Sequence, residues 1–200
     1  MPSSDADKSA YCACLEALKP RLQVVRALVA RSLTTGNESF DGEIACLQLR
    51  KALEFIAFAT LAANRDRYAE AHRGLTGEWK ASRILDRLEQ MNRDFYPVPL
   101  VVQGRQPDGT WNFAPLTDGY LTKDDFTFLY DRCSDAIHTW NPFRPGPRVI
   151  DLNRNFAEWV ARIERLLDFH YIRLVDQSEL LVVYFNHPTL KSVAAFSATP

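Results

Sequence analysis

The sequence predicts an α+β protein that is mainly helical, a bundle of about five helices with an inserted β-hairpin and a C-terminal three-stranded antiparallel meander. Three observations lead there. Apolar residues recur at helical spacing over 9–33, 43–64, 78–95, 121–140 and 151–169. Between two of these stretches, Pro107-Asp108-Gly109 marks a turn inside an alternating, β-favouring run. The last thirty or so residues then give up helical spacing for short β-rich runs separated by turn residues. Two hundred residues are enough for one core without staples. The organisation expected is a disordered polar tail at 1–8, a helical bundle at 9–168 with its hairpin at 98–116, and a β-meander at 169–200 packed on the bundle.

From Ser9 to Leu33, Tyr11, Cys14, Leu15, Leu18, Leu22, Val25, Leu28, Val29 and Leu33 keep the helical period across Pro20, which predicts one kinked helix or two in register. Thr34 to Gly42 reads as a loop, with Asp41 as the cap of the next helix. Glu43 to Asn64 is apolar on almost every side and should run through the middle of the bundle, its Arg50 and Glu54 pairing one turn apart. Arg65 to His72 continues as a polar helix, interrupted at Gly74-Leu75-Thr76-Gly77. Glu78 to Phe95 is the third major helix, with Ile84, Leu88, Met91 and Phe95 as its core stripe.

After the hairpin, Thr122 caps a helix running to Trp140, with Asp124 and Asp125 in its first turn and Asn141-Pro142 as its stop. Phe126, Leu129, Tyr130, Cys133 and Ile137 form its apolar face, while Asp131, Ser134, Asp135 and His138 form the opposite one. Asn141 to Arg148 is a proline-rich connection. Asp151 to Phe169 is the last helix, with Phe156, Val160, Ile163 and Leu167 inward. Three strands follow at Tyr171–Val175, Leu180–Phe185 and Ser192–Phe196; the middle one is apolar on both faces, so its outer face needs a cover, for which a subunit contact is one candidate.

A formal net charge of −1 removes the global basic field of an indiscriminate polyanion binder. No basic segment followed by an apolar run opens the chain, and Ile44 to Ala63 carries Arg50, Lys51 and Glu54, so neither a signal peptide nor a membrane span is expected and the default is cytoplasmic. Cys12, Cys14, Cys46 and Cys133 are too scattered for a disulfide framework and read as reduced core thiols. On a helix Cys12 and Cys14 point about 200° apart, a poor metal pair. Walker, dinucleotide, HExxH and GxSxG patterns are all missing, so no metal or cofactor is expected. His72, His170 and His187 stand at helix ends or turns, where a solvated or backbone-bonded imidazole is the ordinary role.

The stretch Arg132 to His138, RCSDAIH, concentrates the candidate chemistry near a helix C-terminus: a guanidinium that can hold a phosphate and an imidazole that can move protons. Here the chain resembles the HEPN superfamily of helical nucleotide- and RNA-associated domains. The family's motif, an Arg followed after a few residues by a His late in a bundle helix, is matched by Arg132 and His138, and CLQLRKALEFIAFATLAAN resembles its long core helix. The chain departs from the family's usual polar residue after the Arg in having Cys133.

The resemblance implies metal-independent endoribonuclease activity of toxin or defence type, with RNA or nucleotide as partner and a homodimer cleft as the site. His138 would move protons and Arg132 would stabilise charge on the phosphorane. Asp135 would orient the imidazole, and Ser134 would bond either to His138 or to a backbone carbonyl. The alternative is a catalytically inactive HEPN-derived module that binds or assembles with a nucleotide, an RNA or a protein.

Overall fold

The computed structural model describes residues 5–64, 81–138, 152–174 and 180–198, with the backbone alone at 81, 82, 84, 91 and 152–155. Five helices and five strands lie within them: α1 (Asp5–Val29), α2 (Glu38–Ala63), α3 (Ala81–Met91), β1 (Val98–Arg105), β2 (Trp111–Pro115), α4 (Lys123–Ile137), α5 (Leu152–Leu167), β3 (Phe169–Arg173), β4 (Leu180–Tyr184) and β5 (Ala194–Ala198). The α+β class therefore stands. No helix among the described residues is long and apolar enough to cross a membrane.

Two helix starts differ from expectation. The chain is helical from Asp5, not Ser9, with Asp5 and Asp7 in the first turn where the helix dipole favours carboxylates, so residues 5–8 are not a tail. Pro20 lies within this single helix. The second helix begins at Glu38, capped by Asn37, whose side chain accepts from the Ser39 and Phe40 amides. Asp41 is instead inside the helix and reaches back to the loop. It accepts from the Thr34 hydroxyl and from the amide and hydroxyl of Thr35, and these donors hold its carboxyl below the usual range.

The expected central helix is confirmed. α2 packs against each of the other four helices, most extensively α1. Its apolar faces put Leu49, Leu53 and Ile56 in the core together with Leu15, Leu18 and Leu22 of α1, Phe126 of α4 and Ile163 of α5. The inward residues foreseen for α5, Phe156, Val160, Ile163 and Leu167, are all buried. The third helix ends at Met91, not Phe95; Leu85 and Leu88 on it are buried, Phe95 is buried in the turn beyond it, and the Ile84 and Met91 side chains lie outside the described residues. Also outside them are the 65–72 continuation with its Gly74-to-Gly77 break, the 141–148 connection, Thr139 and Trp140, and the turn at 176–179.

Hairpin and meander are not separate. They join in one antiparallel sheet of order β2-β1-β3-β4-β5, because β1 also pairs with β3 through Val98↔Tyr171 and Pro99↔His170. That pairing spans some seventy residues and satisfies a strand edge that local patterning leaves open. A β-bulge between Val102 and Gly104 bends the hairpin, whose Gly104 takes φ +141°. The last strand sits at Ala194–Ala198, two residues later than expected.

β4 is the middle strand of the meander, as foreseen, and turns Leu181 and Val183 into the core. Aromatic rings of the sheet itself occupy the other face. Phe169 stacks on Tyr184 at 4.4 Å between centroids, Phe113 meets Phe169 edge-on at 5.0 Å, and His187 and Phe196 pack against Tyr184. Such cross-strand rings shield one another in part, while Phe113 and Phe196 stay exposed.

Candidate functional site

α4 is fixed at its start by a full capping box: the Thr122 hydroxyl accepts from the Asp125 amide, and the Asp125 carboxylate accepts from the Thr122 amide. Tertiary bonds anchor the same turn. Arg162 of α5 donates to Asp125 at 3.0 Å, Lys123 pairs with Glu89, and the Tyr96 hydroxyl donates to the Leu121 carbonyl at 3.0 Å. The inward face then packs on α2, burying Phe126, Leu129, Tyr130 and Cys133 as the spacing predicts. Across that interface the Arg50 guanidinium lies 5.1 Å above the Tyr130 ring and bonds Glu54 at 3.2 Å, the pairing expected one turn apart on α2.

All four cysteines are free thiols. Cys46 and Cys133 are buried against each other between α2 and α4; the thiol–thiol bond favours the thiolate of Cys46, while that bond and then burial push Cys133 far up. Burial likewise raises Cys12 and Cys14.

The outward face carries the sequence-predicted site. Arg132 and His138 are both exposed, and so are Asp131 and Asp135. His138 is the C-cap, with extended φ −79° and ψ 144°, so the chain leaves the helix there. The Arg132 guanidinium stands 5.8 Å over the ring of Phe128, one turn earlier. Phe128 is itself 56% exposed and touches Trp159 of α5, whose ring lies beneath Arg162 at 5.3 Å. The outcome is a surface on which two aromatic rings alternate with two guanidinium groups. Ser134 is not part of it: its hydroxyl donates to the Tyr130 carbonyl at 2.7 Å, the backbone alternative of the two expected.

His170 departs from the solvated alternative and takes the backbone-bonded one. It is fully buried on β3, donating through Nδ1 to the Leu167 carbonyl at 2.8 Å and accepting at Nε2 from the Tyr11 hydroxyl at 2.7 Å. Burial drives its pKa down to about 4, so the ring is neutral and its tautomer is fixed by these two bonds. His187 is a turn residue, its Nδ1 accepting from the Thr189 and Leu190 amides.

Sequence reasoning passed over a cavity of about 640 Å³ between the end of α1, α5 and the start of the sheet, lined by none of Arg132, Ser134, Asp135 or His138. The spacing of Glu164 and Arg165 at the end of α5 with Asp168 just past it was its available signal, since residues one turn apart share a face. Their partners, Arg26 and Asp118, come from positions that only the folded chain brings near. Comparisons with protein-family models, with curated proteins and with solved structures find no match.

Proposed function

We propose that the chain is a HEPN-like protein acting on RNA or nucleotides through the exposed end of α4, as a metal-independent endoribonuclease whose working cleft forms between two copies. One observation carries this reading: Arg132 and His138 are both open to solvent within the last two turns of a single helix that the capping box and the α2 interface hold in place. One guanidinium and one imidazole make a sparse site, and a second copy doubles both. In that cleft the ribose 2′-oxygen attacks the adjacent phosphorus and the 5′-oxygen leaves. His138 relays the proton between them, and Arg132 meets the charge that develops on the phosphoryl oxygens.

A specific feature favours the second reading, a catalytically inactive module for binding or assembly. Asp131 and Asp135 flank Arg132 on the exposed face and oppose an incoming phosphate, while Arg132 rests on Phe128. The two readings separate in one assay. Pooled RNA is incubated in EDTA with the wild-type chain, Arg132→Ala and His138→Ala. Ribonuclease action predicts cleavage by the wild type and a loss of about 10²–10⁴-fold in rate in His138→Ala. Uncleaved RNA in all three tubes leaves the binding module.

A further inference from the structure

The cavity between α1, α5 and the sheet has one apolar and one charged wall. Leu100, Leu116, Phe169 and Phe185 supply the first. On the second, Arg26 of α1 pairs with Glu164 of α5, Arg165 follows on the same helix, Asp168 stands between α5 and β3, and Asp118 comes from the loop before α4. Its volume of about 640 Å³ falls inside the range of about 300–1,000 Å³ typical of small-molecule sites.

Three carboxylates meet two guanidinium groups there, and one of the two is already bound to Glu164. The Arg165 guanidinium also lines the cavity and passes close to Gly119, which takes φ +76°: a β-carbon there would collide with its Nη1. Asp118 and Asp168 have no ion-pair partner among the described residues. Burial raises the Glu164 carboxyl above its usual range against the pull of Arg26, and the Asp168 charge adds to the rise. An apolar floor beneath a net negative rim selects charge and body together.

We propose that this cavity binds a small organic cation, a protonated amine carried on an apolar body of about ring size, with Asp168 and Asp118 receiving the ammonium and Leu100, Leu116 and Phe169 receiving the body. The site is independent of the α4 surface. It is tested by calorimetric titration of the full chain with three probes sharing one ring system: tryptamine (cationic), 3-methylindole (neutral) and indole-3-acetate (anionic). Tryptamine is expected to bind saturably, one per chain and at least about tenfold more tightly than the other two. The double variant Asp118→Asn/Asp168→Asn is expected to lose about that factor for tryptamine while keeping the wild-type melting temperature. Asp168 is exposed and the hydrogen bonds at that residue are made by its backbone, so the fold does not depend on its carboxylate. Absence of saturable tryptamine binding, equal or tighter binding of either other probe, or unchanged affinity in the double variant would overturn the assignment.

Discussion

His170 and His138 are the same side chain in opposite settings. The first is sealed in the core by Tyr11 and the Leu167 carbonyl and is held neutral. The second caps a helix at the surface. A buried imidazole with both nitrogens committed has no proton to exchange with a substrate, whereas an exposed one can reach a partner. The difference teaches that one imidazole holds the sheet to α1, while the other is left at the surface end of α4, where the proposed chemistry would need it. Replacing each ring by alanine sharpens this most. His170→Ala removes a buried ring and orphans the Tyr11 hydroxyl, at a cost of about 3–5 kcal/mol in urea unfolding. His138→Ala should leave unfolding within about 0.5 kcal/mol of wild type. Equal costs would erase the division.

Much of this contrast was legible before the fold was known. The apolar period of α4 placed Phe126, Leu129, Tyr130 and Cys133 inward and left Asp135 and His138 outside, with Arg132 between the two faces, because a helix buries one stripe whatever it packs on. His170 was not legible. A histidine beside a strand start reads the same whether solvated or sealed, and its partner Tyr11 is 159 residues away. The same limit hid the β1–β3 pairing and the cavity: both depend on non-local neighbours, which periodicity does not encode. At the start of α2 the error was local, since Asn37 and Asp41 are both good caps and the choice between them turned on Asp41 being engaged by Thr34 and Thr35.

Acid should separate the two histidines next. His170 has a folded pKa of about 4, below the ordinary value of 6.5 that it regains on unfolding. Between those values the unfolded chain binds a proton that the native chain refuses. The contribution is therefore complete above about pH 6.5 and is lost as pH falls toward 4, amounting to about 3 kcal/mol over that window. Denaturant titrations at pH 7, 5.5 and 4.5 check it, with His170→Gln as the reference from which the imidazole's share of the slope has gone. A wild-type slope no steeper than the variant's would mean that the ring is not sealed.

A smaller effect isolates the Tyr11 bond. Tyr11→Phe keeps the ring in the core but deprives His170 Nε2 of its donor, leaving a buried acceptor unpaired at a cost of about 1–3 kcal/mol. The remaining Nδ1 bond to Leu167 stays, so the variant should fold with the same sheet register, checked by the amide exchange of β3 and β4. Recovery of wild-type stability in Tyr11→Phe would show that the bond contributes no net stability.

The smallest effect tests whether the exposed region depends on its anchoring. Thr122→Ala removes the hydroxyl that accepts from the Asp125 amide and costs about 1 kcal/mol, readable as a lowered urea midpoint. The Arg162–Asp125 and Tyr96–Leu121 bonds remain, so the first turn of α4 should fray without the helix leaving α2. Arg132 and His138 lie nearly three and more than four turns beyond Thr122 and are held more by the Tyr130 and Cys133 side of the helix than by its cap. Their surface should therefore survive the loss: whatever RNA binding or cleavage the wild type shows, Thr122→Ala should keep to within about twofold. A large functional loss from so small a change in stability would mean that the end of α4 is positioned from its start, and that the buried face alone does not fix the exposed one.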